Sequence, residues 1–427
     1  MEKLYKLFIE TIGICTDTRK IENNSLFVCL KGVNFNGNEF AETALKQGAK
    51  YVIVDEEKYK VSEHIILVDN ALLFLQELAN YHRNKFNIPV IGITGSNGKT
   101  STKELIKVVL DKRFNVLATE GNLNNHIGVP LTLLKINKYH EIVIIEMGAN
   151  KFKDIEELCK IAEPTCGIIT NIGKAHLEGF LNFEGVLKTK LELYESIIKN
   201  KGTIIINGDD EILTNNLPKS ITYKTYGQKE NLDVMGELIN LSPFVEMKWS
   251  MKGYHSNTIV TQMIGKYNFY NFLAAITFGI EFGVKPNEIN EAISEYSPTN
   301  NRSQVKKTTK NTLILDCYNA NPTSMTSALE SFAMITNSTK TFIIGDMLEL
   351  GKESDNEHQQ ILKLTEKLNL KGYTVGEIFG KTKSTNSVNF KTTKLAIEYF
   401  DKNEIKDTLI LLKGSRGIGL EKLEEGL

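Results

Sequence analysis

The chain has 427 residues, of which 41% are hydrophobic and 24% charged, and its 51 Lys+Arg stand against 52 Asp+Glu for a net charge of −1. This is ordinary globular usage, which excludes a disordered tail, a collagen and a coiled-coil rod; without a basic excess, a nucleic-acid coat is excluded as well. The length suits two to four domains, each with a sizeable core.

The opening MEKLYKLFIETIGI alternates charged and apolar residues and has no unbroken apolar stretch, so it does not read as a signal peptide. No window approaches the roughly 20 apolar residues a membrane helix needs, so no membrane insertion is expected. The 5 cysteines are odd in number and show no CxxC spacing. They read as small core residues of a reducing, cytoplasmic compartment.

Short apolar runs follow in order: YVIVD at 51, IILVD at 65, VIGITGS at 90, EIVIIEMG at 141, CGIITNIG at 166, GTIIINGDD at 202, TLILDCYN at 312, TFIIGDM at 341 and TLILLKGS at 408. Runs this continuous predict strands buried on both faces. Segments 99–114, 153–163, 267–283, 323–336 and 357–370 carry helical spacing. Strand–helix alternation predicts an α/β fold with parallel sheets and crossover helices. Three blocks result. Residues 1–87 hold two or three strands and end in a polar helix. Residues 88–297 form the largest block. Within it, 221–264 changes character, because FVEMKWSMKG alternates with a period of two and predicts antiparallel hairpins. SPTNNRSQ, 297–304, reads as a linker into a third α/β unit, 298–427.

The sharpest local signal is VIGITGSNGKTSTKE, 90–104. A buried strand runs into Gly95, Ser96, Asn97, Gly98, Lys99, Thr100 and Ser101, and a helix follows. Glycines let backbone N–H groups turn toward phosphate oxygens, and the helix N-terminus adds partial positive charge. Lys99, read as an exposed loop lysine, would reach the terminal phosphates, and the Thr100 hydroxyl would ligate Mg²⁺. Ile93 stands where the usual pattern has its first glycine, so the loop is a shortened variant. Glu146 closes the run EIVIIEMG at the ligand-binding edge of an open sheet, the natural place for a second Mg²⁺ contact. His176 also follows a buried strand.

With these stand TDTRK, SLFVCLKGVNFNGNEF, TEGNLNNHIGVPLTLL (119–134), EMGAN (146–150), TNIGKAHLEGF (170–180), GKYNFYNFLAA (265–275), NNRSQ (300–304), LDCYNANPTSM (315–325), GDMLELG (345–351) and LLKGSRGIGLE (411–421). In this order, across nearly the whole chain, they resemble the Mur ligases of peptidoglycan synthesis. The resemblance implies a UDP-sugar-binding domain (1–87), a central phosphate-loop ATPase domain (88–297) whose parallel sheet carries an antiparallel segment, and a C-terminal Rossmann-like domain (298–427). It implies ATP-driven amide ligation in which D-alanyl-D-alanine is added to UDP-N-acetylmuramoyl-tripeptide through an acyl phosphate. The implied cofactors are ATP and Mg²⁺ at two sites. The implied partners are these small molecules alone, with no nucleic acid, for a monomeric enzyme.

Carried over by position, the resemblance implies Lys99, Asn125, His176 and Lys190 as catalytic groups. Thr100, Glu146, His176 and Lys190 would serve the metals, Lys190 as a carbamate. Asn271 would meet the adenine side of ATP, and Arg302 and Asp316 would reach the nucleotide from the third domain. Asn124 and Asn125 would contact the muramoyl-peptide, while Tyr318, Asn319 and Asn321 would line the way to the dipeptide. Thr18 and Arg19 would hold the UDP-sugar. Two positions depart from the family's pattern. Asn36-Gly37-Asn38 replaces an Asp-Gly-His turn, and Tyr267 stands where a histidine is usual. The YNANP segment favours dipeptide addition over a sibling that adds one amino acid. The base-reading sequences of a GTPase-like switch are not evident.

Overall fold

In the computed structural model, described for residues 1–173, 177–180, 182–218, 221–336 and 339–427, the apolar runs form strands of three main sheets, all of them inner except the edge strand Ile65–Leu67. The first sheet is all parallel, in the order Ile14–Cys15, Leu26–Val28, Tyr51–Val54, Ile65–Leu67. It has one strand more than the sequence announces, because Ile14–Cys15 is only 2 residues long and carries no pattern of its own. The helix Ala71–Arg83 follows, opened by Asn70, whose side chain accepts from the Leu73 N–H. It buries Phe74, Leu75 and Leu78 against the helices Gly128–Leu133 and Asp154–Ala162 of the next block. One apolar cluster therefore runs from Phe8 and Leu26 through to Val143 and Ile145.

The second sheet has 10 strands. Val116–Ala118, Ile142–Glu146, Val90–Thr94, Cys166–Ile169, Thr203–Asn207, Thr222–Gly227 and Val234–Asn240 are parallel in that spatial order. Glu246–Met251 then runs antiparallel, with Tyr254–His255 and Ile259–Val260 on its far side. The expectation of hairpins over 221–264 is thus corrected at its start. Thr222–Gly227 arrives through the crossover helix Glu211–Asn215 and pairs in parallel. Alternating residues report one-sided burial, not strand direction, and a helical crossover dictates parallel pairing.

The third sheet has Gln304–Lys307 as an antiparallel edge, then Thr312–Asp316, Leu409–Lys413, Lys340–Gly345, Gly372–Val375 and Ser387–Phe390 in parallel. Four of the cysteines are buried, and burial pushes the thiols of Cys29, Cys159, Cys166 and Cys317 up to about 12. Among the described residues no helix is long and apolar enough to cross a membrane.

Candidate active site

Val90–Thr94 lies between Ile142–Glu146 and Cys166–Ile169, so the carboxyl ends of three neighbouring parallel strands open onto one edge. The glycine loop leaves from the middle one. Gly95 has φ +144°, and a Cβ there would lie 2.0 Å from Thr170 Oγ1, so only glycine fits. The loop is seated on the neighbouring strand end. Thr170 Oγ1 and Asn171 Nδ2 donate to the Asn97 carbonyl at 2.6 and 2.9 Å, and Asn97 N–H donates to Asn171 Oδ1 at 3.1 Å. Ser96 Oγ donates to the Gly173 carbonyl at 3.1 Å.

Lys99 opens the helix Lys99–Leu110, and Ser101 lies buried in the same first turn. The lysine is not the exposed loop residue expected. It is half-buried and folds back, its ammonium donating to the Gly95 carbonyl at 2.6 Å and the Ser96 carbonyl at 3.3 Å. Burial pushes it down to about 8, against the attraction of Glu146 and with the help of Arg302. Asn97 Nδ2 is buried with no hydrogen-bond partner.

Glu146, buried at its strand end, accepts from Thr100 Oγ1 at 2.9 Å on one oxygen and from Asn124 Nδ2 at 2.9 Å on the other. Asn125 Oδ1 accepts from the N–H groups of Ile127 and Gly128, just ahead of the helix Gly128–Leu133. Lys190, on the helix Phe183–Lys199, is only 3% exposed, its ammonium 5.9 Å from the Phe180 ring. Burial holds it well below the ordinary lysine range, with the Lys99 charge adding to the effect. His176 lies outside the described residues.

Asn271 is tied to the loop's helix. Its Oδ1 accepts from Thr102 Oγ1 at 3.1 Å, and its amide donates to Asn268 Oδ1 at 2.8 Å. From the third block, the Arg302 guanidinium stacks 3.7 Å from the Tyr318 ring centroid. Asp316 is held in an ion pair with Lys413 at 2.6 Å and accepts from the Ser303 N–H at 3.2 Å. Lys413 also reaches the Asn319 carbonyl at 3.4 Å. Asn321 caps the helix Pro322–Met334 through its Oδ1 and donates its Nδ2 to Asn97 Oδ1 at 2.7 Å. The glycine loop, Asn124, Asn125 and Glu146 on one side and Arg302 with the segment Tyr318–Asn321 on the other line one cleft of about 1360 Å³.

Thr18 and Arg19 do not reach this cleft. They lie in the short turn Thr18–Lys20, where Arg19 grips Asp17 through two bonds of 2.9 and 2.7 Å. The first block contributes Leu72 and Gln76 instead, which nothing in the helix's pattern marks out. Sequence reasoning also missed Lys413 and Arg416. Their signal was present, as a cation ending an apolar strand run and another in the turn just after it.

Residues 10–83 match the Mur ligase family catalytic domain, 93–279 the Mur ligase middle domain, and 301–416 the Mur ligase glutamate ligase domain. The UDP-N-acetylmuramoyl-tripeptide–D-alanyl-D-alanine ligase of Bacillus subtilis (strain 168) is 35% identical over 97% of this chain and 93% of its own. The chain belongs to the Mur ligase family. The Escherichia coli (strain K12) ligase of the same name is 30% identical over 97% of this chain and 93% of its own. The crystal structure of MurF from Acinetobacter baumannii superposes with a TM-score of 0.89 at 29% identity, covering 99% of this Mur ligase and 97% of that chain. MurF ligase from Thermotoga maritima in complex with ADP superposes with a TM-score of 0.88 at 25% identity, covering 98% and 97%.

Both departures from the family pattern have structural partners in this Mur ligase. Tyr267 shares a 2.8 Å hydrogen bond between its hydroxyl and Ser303 Oγ, joining middle and third blocks. Asn38 is fully buried and clasps Asp55, donating to Oδ1 at 2.8 Å and accepting from the backbone N–H at 2.9 Å.

Proposed function

We propose that this Mur ligase adds D-alanyl-D-alanine to UDP-N-acetylmuramoyl-tripeptide, driven by ATP, as a cytoplasmic monomer with domains 1–87, 88–297 and 298–427. The observation that carries the reading is the single cleft in which the glycine loop faces Arg302 and Tyr318–Asn321. ATP-dependent ligation must bring two anions, a carboxylate and a triphosphate, into one water-poor space between cationic walls.

The residues fit the nucleotide and its metal. The buried, unpartnered Asn97 Nδ2 supplies a donor, and Lys99 rests on backbone carbonyls that it can leave for a phosphate. Thr100 and Glu146 present the oxygen donors a hard cation prefers and would hold one Mg²⁺. Lys190 and His176 would hold a second. Burial favours the neutral Lys190 amine, the form that adds CO₂ to become an anionic carbamate. Bound there, magnesium supplies positive charge to the transferring phosphoryl group.

The tripeptide carboxylate attacks the γ-phosphate, the bond to the β–γ bridging oxygen breaks and ADP leaves, giving an acyl phosphate, with Lys99 neutralising the charge that gathers. The dipeptide amine then attacks the acyl carbon, phosphate leaves, and the proton lost from the amine passes to the departing phosphate or to solvent. The test is phosphate release from ATP with the UDP-tripeptide and the dipeptide each omitted in turn. A ligase of this kind needs both. Turnover without either, or with a single amino acid in place of the dipeptide, overturns the reading.

A further inference from the structure

The Tyr318 ring carries two guanidinium groups, Arg302 at 3.7 Å and Arg416 at 5.5 Å from its centroid. Two like charges drawn to one ring in a cleft call for an anion. Among the described residues the protein does not supply it. Asp316 is committed to Lys413 at 2.6 Å, and the other acid on this wall, Glu349, has an interaction of its own. Among the described residues the Arg416 side chain makes no ion pair and no hydrogen bond, although it is exposed and lines the cleft.

The backbone that presents Arg416 is fixed. Ser415 is buried, donates its N–H to the Asp346 carbonyl at 3.2 Å and accepts from the Leu348 N–H on its Oγ at 2.9 Å. A Cβ on Gly414 would lie 3.0 Å from Gly345 Cα, so the two loops are in close contact. An arginine held this way, with its guanidinium free, is preorganised for a planar oxyanion.

With the UDP diphosphate assigned to the first domain, whose Thr18 and Arg19 do not line the cleft, three anionic groups meet at the reacting centre under the proposed function, on which this inference rests. The triphosphate has the glycine loop and Lys99, and it is Arg302 whose charge acts on Lys99. The tripeptide carboxylate is the nucleophile and has to stay free to react. The remaining anion is the carboxylate at the far end of the dipeptide, whose amine reacts. We propose that Arg416 anchors this terminal carboxylate and thereby selects a free acid over a capped or extended peptide.

The experiment compares D-alanyl-D-alanine with its C-terminal amide as acceptors for the wild-type enzyme, Arg416→Ala and Arg416→Lys. Hydrogen bonds to charged groups predict a wild-type preference for the acid of about 10²-fold in kcat/KM. Arg416→Ala should lose that preference by falling on the acid alone, with the amide rate, the KM for ATP and the thermal midpoint held. Arg416→Lys should recover part of it. If Arg416→Ala still prefers the acid, or if it instead raises the KM for ATP, the carboxylate assignment is overturned, and in the second case the anion is a phosphate. A wild-type enzyme that does not use the dipeptide at all refutes the proposed function itself, a result distinct from a retained preference.

Discussion

Asn321 donates its side-chain amide to Asn97 Oδ1 across 2.7 Å, so the cap of a third-domain helix touches the glycine loop. The same side chain starts that helix by accepting from the Ser324 N–H at 2.9 Å. Serine caps a helix as well as asparagine but is too short to reach the loop. Asn321→Ser should therefore keep the stability of the protein within about 0.5 kcal/mol while lowering kcat about tenfold, the worth of one hydrogen bond. Small-angle scattering is the second measurement. The ligand-free protein should already have the radius of gyration of the closed form, and a large contraction on adding a nonhydrolysable ATP analogue would contradict the contact.

Lys99→Ala should cost on the order of 10²-fold or more in turnover, because it removes the charge that meets the transferring phosphoryl group. The depressed value of about 8 adds a pH signature. Anionic phosphate favours the ammonium, so above pH 8 nucleotide binding should take up a proton, and affinity should fall as pH rises. Calorimetry in buffers of different ionisation enthalpy reads this directly. In the free protein the folded chain gives up this proton before the unfolded chain does. This group's contribution to stability is thus present above the unfolded value of about 10.4 and is lost as pH falls toward 8.

Lys190→Ala should lose most activity, and Lys188→Ala, on the exposed side of the same helix, should keep it. Acetate should restore part of the lost rate by supplying a carboxylate where the carbamate would stand. Because Lys190 is buried, Lys190→Met serves as the packing control: it should melt near the wild-type midpoint and still be inactive. Full activity of Lys190→Ala without additives removes the residue from the mechanism.

His358 is fully buried beneath the loop that lines the cleft at Leu348. Its Nε2 accepts from the Met347 N–H at 3.0 Å, and its Nδ1 lies 2.7 Å from the Ser354 carbonyl, so the ring is neutral with the proton on Nδ1. Burial depresses its pKa, with Asp346, Asp355 and Glu357 opposing. The stability it contributes is present above the unfolded value of about 6.5 and is lost as pH falls below it. His358→Gln can still accept from Met347 and does not titrate. Its unfolding free energy between pH 7.5 and 5 should fall less steeply than that of the wild type. Some slope should remain, since His82 is also buried with a lowered pKa.

What the sequence made legible is what is local. Strand, glycine loop, lysine and helix follow one another within 90–104, and each step has its own physical cause. Glu146 was legible because a carboxylate ending an apolar run has few places to go. The ion pair of Asp316 with Lys413 was not, because the two residues lie on neighbouring strands far apart in the chain. Nor was the burial of Lys99, which follows from the first turn of its helix curling over the Gly95 carbonyl. Thr18 and Arg19 could be read as a motif, but their distance from the cleft depends on how the first sheet is mounted. The direction of Thr222–Gly227 depended on a short crossover helix that the residue pattern does not reveal.

One apolar cluster runs from Phe8 and Leu78 into Val129 and Ile145, whereas among the described residues the third block meets the middle one through polar contacts such as Asn321–Asn97, Tyr267–Ser303, Lys266–Ser331 and Thr336–Ser242, with Phe244 and Ile264 packed into the third block's apolar cluster. The first block therefore cannot melt away and leave the second intact, because that would bare the shared cluster to water. Heating should give two calorimetric transitions rather than three. Limited proteolysis within 297–304 should release 298–427 as a folded fragment and leave 1–297 as a single one.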